Sequence, residues 1–64
     1  MLETHYNGYR ISTDGQCINI SLDSDLIISY HPMHGEQVLG YRSPIVVVEA
    51  REALNHAKNL MESV

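Results

Sequence analysis

The side chains best suited to metal chemistry in this sequence are four histidines and a single cysteine. His31 and His34 stand three residues apart, a spacing that can place two imidazole rings on one zinc ion. Cys17 and His5 are the remaining ligand types, but Cys17 has no neighbouring cysteine to form the pair typical of structural zinc sites. We therefore interpret these histidines as loop residues and predict neither a metal nor another cofactor.

The sequence also contains few residues that are arranged as in a catalytic site. Cys17 would need a base within hydrogen-bond reach to act as a nucleophile, and it lies in a predicted strand far from each histidine in sequence. Asp23 and Asp25 could form a pair of carboxylates, but the turn around Ser24 favours aspartate simply for local backbone hydrogen bonding. The glycines are scattered and form no phosphate-binding loop. The sequence thus predicts a protein that is not an enzyme.

The charge balance favours a protein partner. Eight acidic residues against four basic ones give a formal net charge of −4. Direct nucleic-acid binding and binding to an anionic membrane both require a basic patch, which is missing. If several carboxylates share one side, they imitate nucleic-acid phosphates and attract a basic surface; an ordinary solvated acidic face is the alternative. The predicted partner-binding residues are Asp14, Asp23, Asp25, Glu36, Glu49, Glu52, Tyr30 and Tyr41, and Glu62 extends the acidic set.

The elements that must position these residues begin with three or four short strands. Alternating apolar and polar residues predict the first two strands, and an Asp-Gly hairpin signal separates them. Pro32 has no amide hydrogen for a strand ladder and should end the third strand. The predicted strands are Tyr6–Ser12, Cys17–Leu22, Leu26–His31 and, as a possible fourth, Gln37–Tyr41.

A helix follows the strands. Ser43 is a favoured N-cap residue, and Pro44 at the first helical position has no amide hydrogen to leave unsatisfied. Apolar residues then recur at helical spacing. They are Val47, Ala50, Leu54, Ala57, Met61 and Val64. The run of β-branched residues at 45–48 prefers a strand, but we expect tertiary packing to keep it helical.

Together these elements predict one α+β domain over residues 1–64, with a three- to four-stranded antiparallel sheet packed by one C-terminal helix. A chain of 64 residues buries only about 60% of its unfolded surface, so the surface is the expected working part. The single cysteine suits a reducing compartment. The N-terminus lacks the pattern of a signal peptide, and no apolar run is long enough to cross a membrane, so we expect a cytoplasmic protein.

The order of these motifs resembles two groups of small proteins. It runs from Gly8-Tyr9-Arg10-Ile11 through Asp14-Gly15 and Ile18-Asn19-Ile20-Ser21 to the Ser43-Pro44 helix start. A similar strand-hairpin-helix theme occurs in small proteins of phages and mobile elements, and in the partial RNase-H-like domain of HicB-type antitoxins. Among the phage proteins, the small size, the acidity and the lack of catalytic residues resemble inhibitors of the anti-CRISPR type. The first resemblance implies a protein that blocks a nucleic-acid-binding surface of a complex such as a CRISPR effector, in some cases as a DNA mimic.

Two alternatives stay open at this point. An antitoxin-like or dimerising module would use the apolar helix stripe or a sheet edge, and the chain would then be a homodimer rather than a monomer. The sequence lacks the Pro-Leu-Pro-Gly strand end and the DNA-binding extension of the antitoxins. A metal-dependent hydrolase would need His31 and His34 to hold zinc.

Overall fold

Five strands and one helix make up the fold in the computed structural model, which describes residues 2–40 and 42–62. The elements are β1 (Leu2–Tyr6), β2 (Tyr9–Thr13), β3 (Ile18–Leu22), β4 (Asp25–His31), β5 (Gly35–Val38) and α1 (Pro44–Glu62). The strands follow chain order in one antiparallel sheet. The predicted α+β class and single C-terminal helix are confirmed, but the sheet has five strands rather than three or four.

The additional strand comes from a hairpin at the start of the chain. Asn7 and Gly8 have φ values of 52° and 85°, the left-handed values of a two-residue hairpin turn. This turn divides the single predicted strand Tyr6–Ser12 into the end of β1 and most of β2. The prediction of one strand over Tyr6–Ser12 is wrong because Asn7 and Gly8 form a hairpin turn inside that range.

A second irregularity lies between β3 and β4. Their register shifts between Ile20 and Ser21, which is the mark of a β-bulge. Ile27 and Ile28 are consequently both buried, although adjacent residues of a regular strand face opposite sides. The bulge explains why the sequence of the third predicted strand shows no clear alternation.

The last strand begins and ends earlier than predicted. β5 covers Gly35–Val38 instead of Gln37–Tyr41, and Tyr41 lies outside the described residues. Pro32 ends β4 as expected, and the chain reverses within residues 32–34. Gly40 takes a φ of 72°, which turns the chain out of the strand direction before it enters the helix.

The helix begins where the sequence indicates. The Ser43 hydroxyl accepts a hydrogen bond from the Val46 amide at 3.3 Å, so Ser43 is the N-cap and Pro44 the first helical residue. Small side chains let α1 lie close over β2, β3 and β4. The buried helix residues are Ala50, Ala53, Leu54 and Ala57, and they meet Tyr9, Ile11, Ile18, Ile20, Ile27 and Ile28 of the sheet. Val64 lies outside the described residues.

The direction of α1 distinguishes the two ends of the sheet. The helix-start end carries the turns at residues 7–8 and 23–24, and there Arg42 donates a hydrogen bond to the Leu26 carbonyl at 3.2 Å. The helix-finish end carries residues 14–17 and 32–34, and there the Thr13 hydroxyl donates to Met61 Sδ at 4.0 Å. Over the described ranges the chain contains no helix with the length and apolar character needed to cross a bilayer.

Candidate functional site

Two arginines are bound to glutamates of the sheet. Arg10 Nη2 lies 2.6 Å from Glu3 Oε2 across the β1–β2 pair, and this hydrogen bond lowers the pKa of Glu3. Arg51 Nε of the helix lies 2.6 Å from Glu36 Oε1 of β5. Glu36 faces the helix because it pairs with Tyr30. Neither of these arginines is available as a free positive charge.

The other two basic side chains are also engaged. Arg42 donates to the carbonyl oxygens of Leu39 and Leu26, at 3.1 and 3.2 Å, and its Nη1 lies 4.0 Å from Asp25 Oδ2. Lys58 Nζ sits 4.2 Å from the centre of the Tyr30 ring, a cation–π geometry. All four arginine and lysine side chains therefore make contacts within the molecule.

The remaining carboxylates carry the uncompensated charge. Within residues 2–40 and 42–62 no arginine or lysine forms an ion pair with any of five acidic residues. These are Asp14, Asp23, Glu49, Glu52 and Glu62. The surface of the described chain thus presents five carboxylates without an ion-pair partner, whereas the three arginines are ion-paired and Lys58 contacts an aromatic ring.

Two of these five carboxylates accept hydrogen bonds that orient them. Asp14 Oδ1 accepts from the amides of Gln16 and Cys17 at 3.0 and 2.9 Å, and these bonds lower the pKa of Asp14. Glu49 accepts from the Tyr9 hydroxyl at 3.3 Å. Burial of Tyr9, followed by the nearby charge of Glu49, raises the pKa of that tyrosine. Asp14 and Glu49 are consequently held in position rather than freely mobile.

The structure distributes the acidic residues over both ends of the sheet. Asp14 lies at the helix-finish end, and Glu62 lies close to the same loop beside Gly15. Asp23 occupies the opposite turn, so the five residues of β3 separate it from Asp14, a distance of roughly 16 Å at 3.3 Å per residue. The single patch considered from the sequence is therefore divided into two groups.

The other predicted partner-binding residues differ in how available they are. Glu36 and Asp25 each have an arginine within 4.0 Å. Tyr30 is half-buried beneath Lys58, and Tyr41 lies outside the described residues. Glu52 is exposed on the helix. The carboxylates that combine exposure with unpaired charge are therefore the better candidates for contact.

His31 and His34 lie side by side at the turn between β4 and β5. The rings of His31 and His34 lie 4.9 Å apart, and the Met33 amide donates to His31 Nδ1 at 3.1 Å. Cys17 is half-buried in the loop before β3 rather than within a strand. Among the described residues no three His, Cys, Asp or Glu side chains come together as a metal site would require.

A groove that the sequence did not reveal runs between β1 and the last turns of α1. Its volume is about 330 Å³ and its walls are largely apolar. Leu2 and Leu60 line it with exposed fractions of 75% and 48%. The groove exists because α1 lies mainly over β2 to β4 and meets β1 at Tyr6, whose ring stacks on His56 with the ring centres 4.4 Å apart. The Leu2 end of β1 stays exposed. Its only sequence signal is the Asn7-Gly8 turn, which implies a strand that ends at Tyr6.

Comparisons with known proteins found no relative: no family model matches the chain, and no curated protein or solved structure matches it significantly.

Proposed function

We propose that this chain is a small non-enzymatic interaction protein that binds a basic, nucleic-acid-binding surface of a protein complex and blocks access of DNA or RNA. An inhibitor of the anti-CRISPR type would act in this way. One observation carries the proposal. Every arginine and lysine makes an internal contact, whereas five carboxylates have no ion-pair partner within residues 2–40 and 42–62.

This distribution gives a partner a negative surface on which three of the four arginine and lysine charges are already ion-paired. A net charge of −4 on so small a body attracts a basic groove over distances comparable with the Debye length, about 8 Å at physiological salt. Such attraction contributes mainly to the association rate and to partner selection. The affinity should therefore depend strongly on ionic strength.

The spacing of the two acidic groups is compatible with imitation of a nucleic acid. Asp14 and Asp23 are separated by the length of β3, roughly 16 Å. Successive base pairs of duplex DNA are spaced by about 3.4 Å, so this separation corresponds to about five base pairs. A groove that normally contacts phosphates over that length could contact both acidic groups at once.

The experiment measures binding of the chain to a purified RNA-guided effector complex at about 50 and 200 mM salt, together with competition against its DNA target. We expect affinity to fall steeply with salt. Asp23→Asn with Glu52→Gln removes two of the five unpaired charges and should weaken binding, while asparagine still tolerates the left-handed φ of 50° at position 23.

A matched control removes an ion pair without changing the net charge. Glu36→Gln with Arg51→Gln deletes one acidic and one basic side chain, so binding should stay unchanged if uncompensated charge is responsible. An affinity that does not depend on salt would contradict the electrostatic mechanism. Equal losses of binding affinity in the two double variants would contradict it as well.

A further inference from the structure

Strand β1 is an open edge of the sheet. It pairs with β2 on one side, and in the part of the chain that the structure describes no strand lies on its other side. Residues 2–5 are exposed and Tyr6 is half-buried. β1 contains neither lysine nor proline, two residues with which proteins commonly protect exposed edges. The strand can therefore accept another strand.

The hairpin geometry determines which backbone groups face that edge. A two-residue turn closes on a hydrogen-bonded pair, here Tyr6 with Tyr9, and hydrogen-bonded and non-hydrogen-bonded pairs alternate along an antiparallel ladder. Thr4 is then also bonded to β2. The amide and carbonyl groups of Glu3 and His5 consequently point away from β2, toward the open edge.

We propose that β1 pairs antiparallel with β1 of a second copy of this chain, about a two-fold axis at Thr4, to form a continuous ten-stranded sheet. In this register Glu3 and His5 of one copy exchange backbone hydrogen bonds with His5 and Glu3 of the other. Thr4 faces Thr4, and Leu2 faces Tyr6. The proposal does not rest on the proposed inhibitory function.

The side chains of β1 are self-complementary in this register. Leu2, Thr4 and Tyr6 share the helix side of the sheet, since their partners Thr13, Ile11 and Tyr9 are buried there. Leu2, 75% exposed in the single chain, would lie opposite Tyr6 of the second copy, whose ring is stacked on His56 of its own chain. On the outer side the Glu3 carboxylate, bound to Arg10 of its own chain, would lie opposite the His5 imidazole of the second copy and could accept a hydrogen bond from it. Apolar contacts and side-chain hydrogen bonds both stabilise cross-strand neighbours.

The position of α1 leaves room for this arrangement. The two-fold axis places both helices on the same side, each lying over its own β2 to β4. The two copies of β3 would be separated by five strand spacings, about 24 Å, which exceeds the 10–12 Å diameter of a helix. The apolar grooves beside Leu2 and Leu60 would then face each other across the new strand pair.

The opposite edge of the sheet is less suited to self-pairing. β5 has only four residues, and its helix side carries Glu36, already bound to Arg51. An antiparallel pair centred on Glu36 would place two carboxylates opposite each other, and one centred on Gln37 would place Glu36 against Val38. Self-association through β1 is therefore favoured over association through β5.

The expected dimer is weak. Two five-residue edges contribute four backbone hydrogen bonds and a small apolar contact, below the 1,200 Å² typical of stable interfaces. We expect a dissociation constant on the order of 0.1–1 mM. Sedimentation equilibrium of the full chain with a C-terminal tag, at about 10 µM to 2 mM, should show a concentration-dependent dimer.

Two variants test the register. His5→Pro removes only an outward amide and should raise the dissociation constant roughly 30-fold, for two lost hydrogen bonds per dimer, with an unchanged circular-dichroism spectrum. His5→Glu leaves the backbone intact and places a carboxylate opposite Glu3, so it should also weaken the dimer. Gln37→Lys, on the β5 edge, is the control and should have no effect.

Amide hydrogen exchange gives an independent readout. The amides of Glu3 and His5 should become protected as concentration rises, whereas Thr4 and Tyr6 should show protection at all concentrations. A chain that is monomeric at 2 mM overturns the proposal, as does a dimer that both His5 variants leave intact.

Discussion

Truncation of Leu54 should show how much the helix–sheet contact contributes to the free energy of unfolding, in comparison with the exposed surface of the helix. Leu54 is 0% exposed and is the one large side chain among the fully buried residues of α1. Leu54→Ala removes three carbon atoms from a tightly packed contact, which costs 2–5 kcal/mol in buried positions, or about 3 kcal/mol as a central expectation.

This cost is large for so small a domain. At about 0.05–0.15 kcal/mol per residue, 64 residues give a free energy of unfolding of roughly 3–10 kcal/mol. A loss of about 3 kcal/mol should lower Tm by roughly 12–24 °C. Urea denaturation followed by circular dichroism measures the loss directly, and the m value should stay constant.

Leu60→Ala provides the matched control on the same helix. Leu60 is 48% exposed, so its truncation should cost less than about 1 kcal/mol. Equal losses in the two variants, or a cost below about 1 kcal/mol for Leu54→Ala, would refute the assignment of Leu54 as the anchor of α1 on the sheet.

Two further predictions concern local hydrogen bonds. Ser43→Ala removes the hydroxyl that accepts a hydrogen bond from the Val46 amide, and should lower the free energy of unfolding by about 0.5–2 kcal/mol in urea denaturation. Ser43→Asp keeps an acceptor at the N-cap and should retain most of the native stability. Asp14 has a lowered pKa in the folded chain, so its ionised form contributes stability at neutral pH that is lost as pH falls below the ordinary value of 3.8 toward the folded pKa. In thermal scans, the difference in Tm between the native chain and Asp14→Asn should therefore be constant from pH 7 to 5 and should become smaller below about pH 3.8. A difference in Tm at pH 2.5 equal to that at pH 7 would contradict this.

Local signals predicted a large part of the fold. Ser43 and Pro44 located the helix start, because capping and the missing proline amide act within one turn. Alternation located Ile18 and Ile20 on the buried side of β3. The Asn-Gly turn before Tyr9 was available in the sequence, but β1 carries little apolar character because it lies at an exposed edge.

The candidate site depended more on tertiary structure. Composition gives the excess of acidic residues, but it does not indicate which carboxylates meet an arginine. Glu36 and Arg51 are 15 residues apart and meet only because β5 and α1 lie side by side. The β-bulge that buries both Ile27 and Ile28 likewise follows from the pairing of two strands.

The sequence by itself determined the class of the fold, the start of the helix and the sign of the surface charge, since these depend on residue type and on spacing within one or two turns. Tertiary structure alone decided the role of β1 as an open edge, the apolar groove beside it and the division of the acidic residues between two ends. Those features depend on which strands and helix become neighbours, and such contacts are made between residues far apart in the chain.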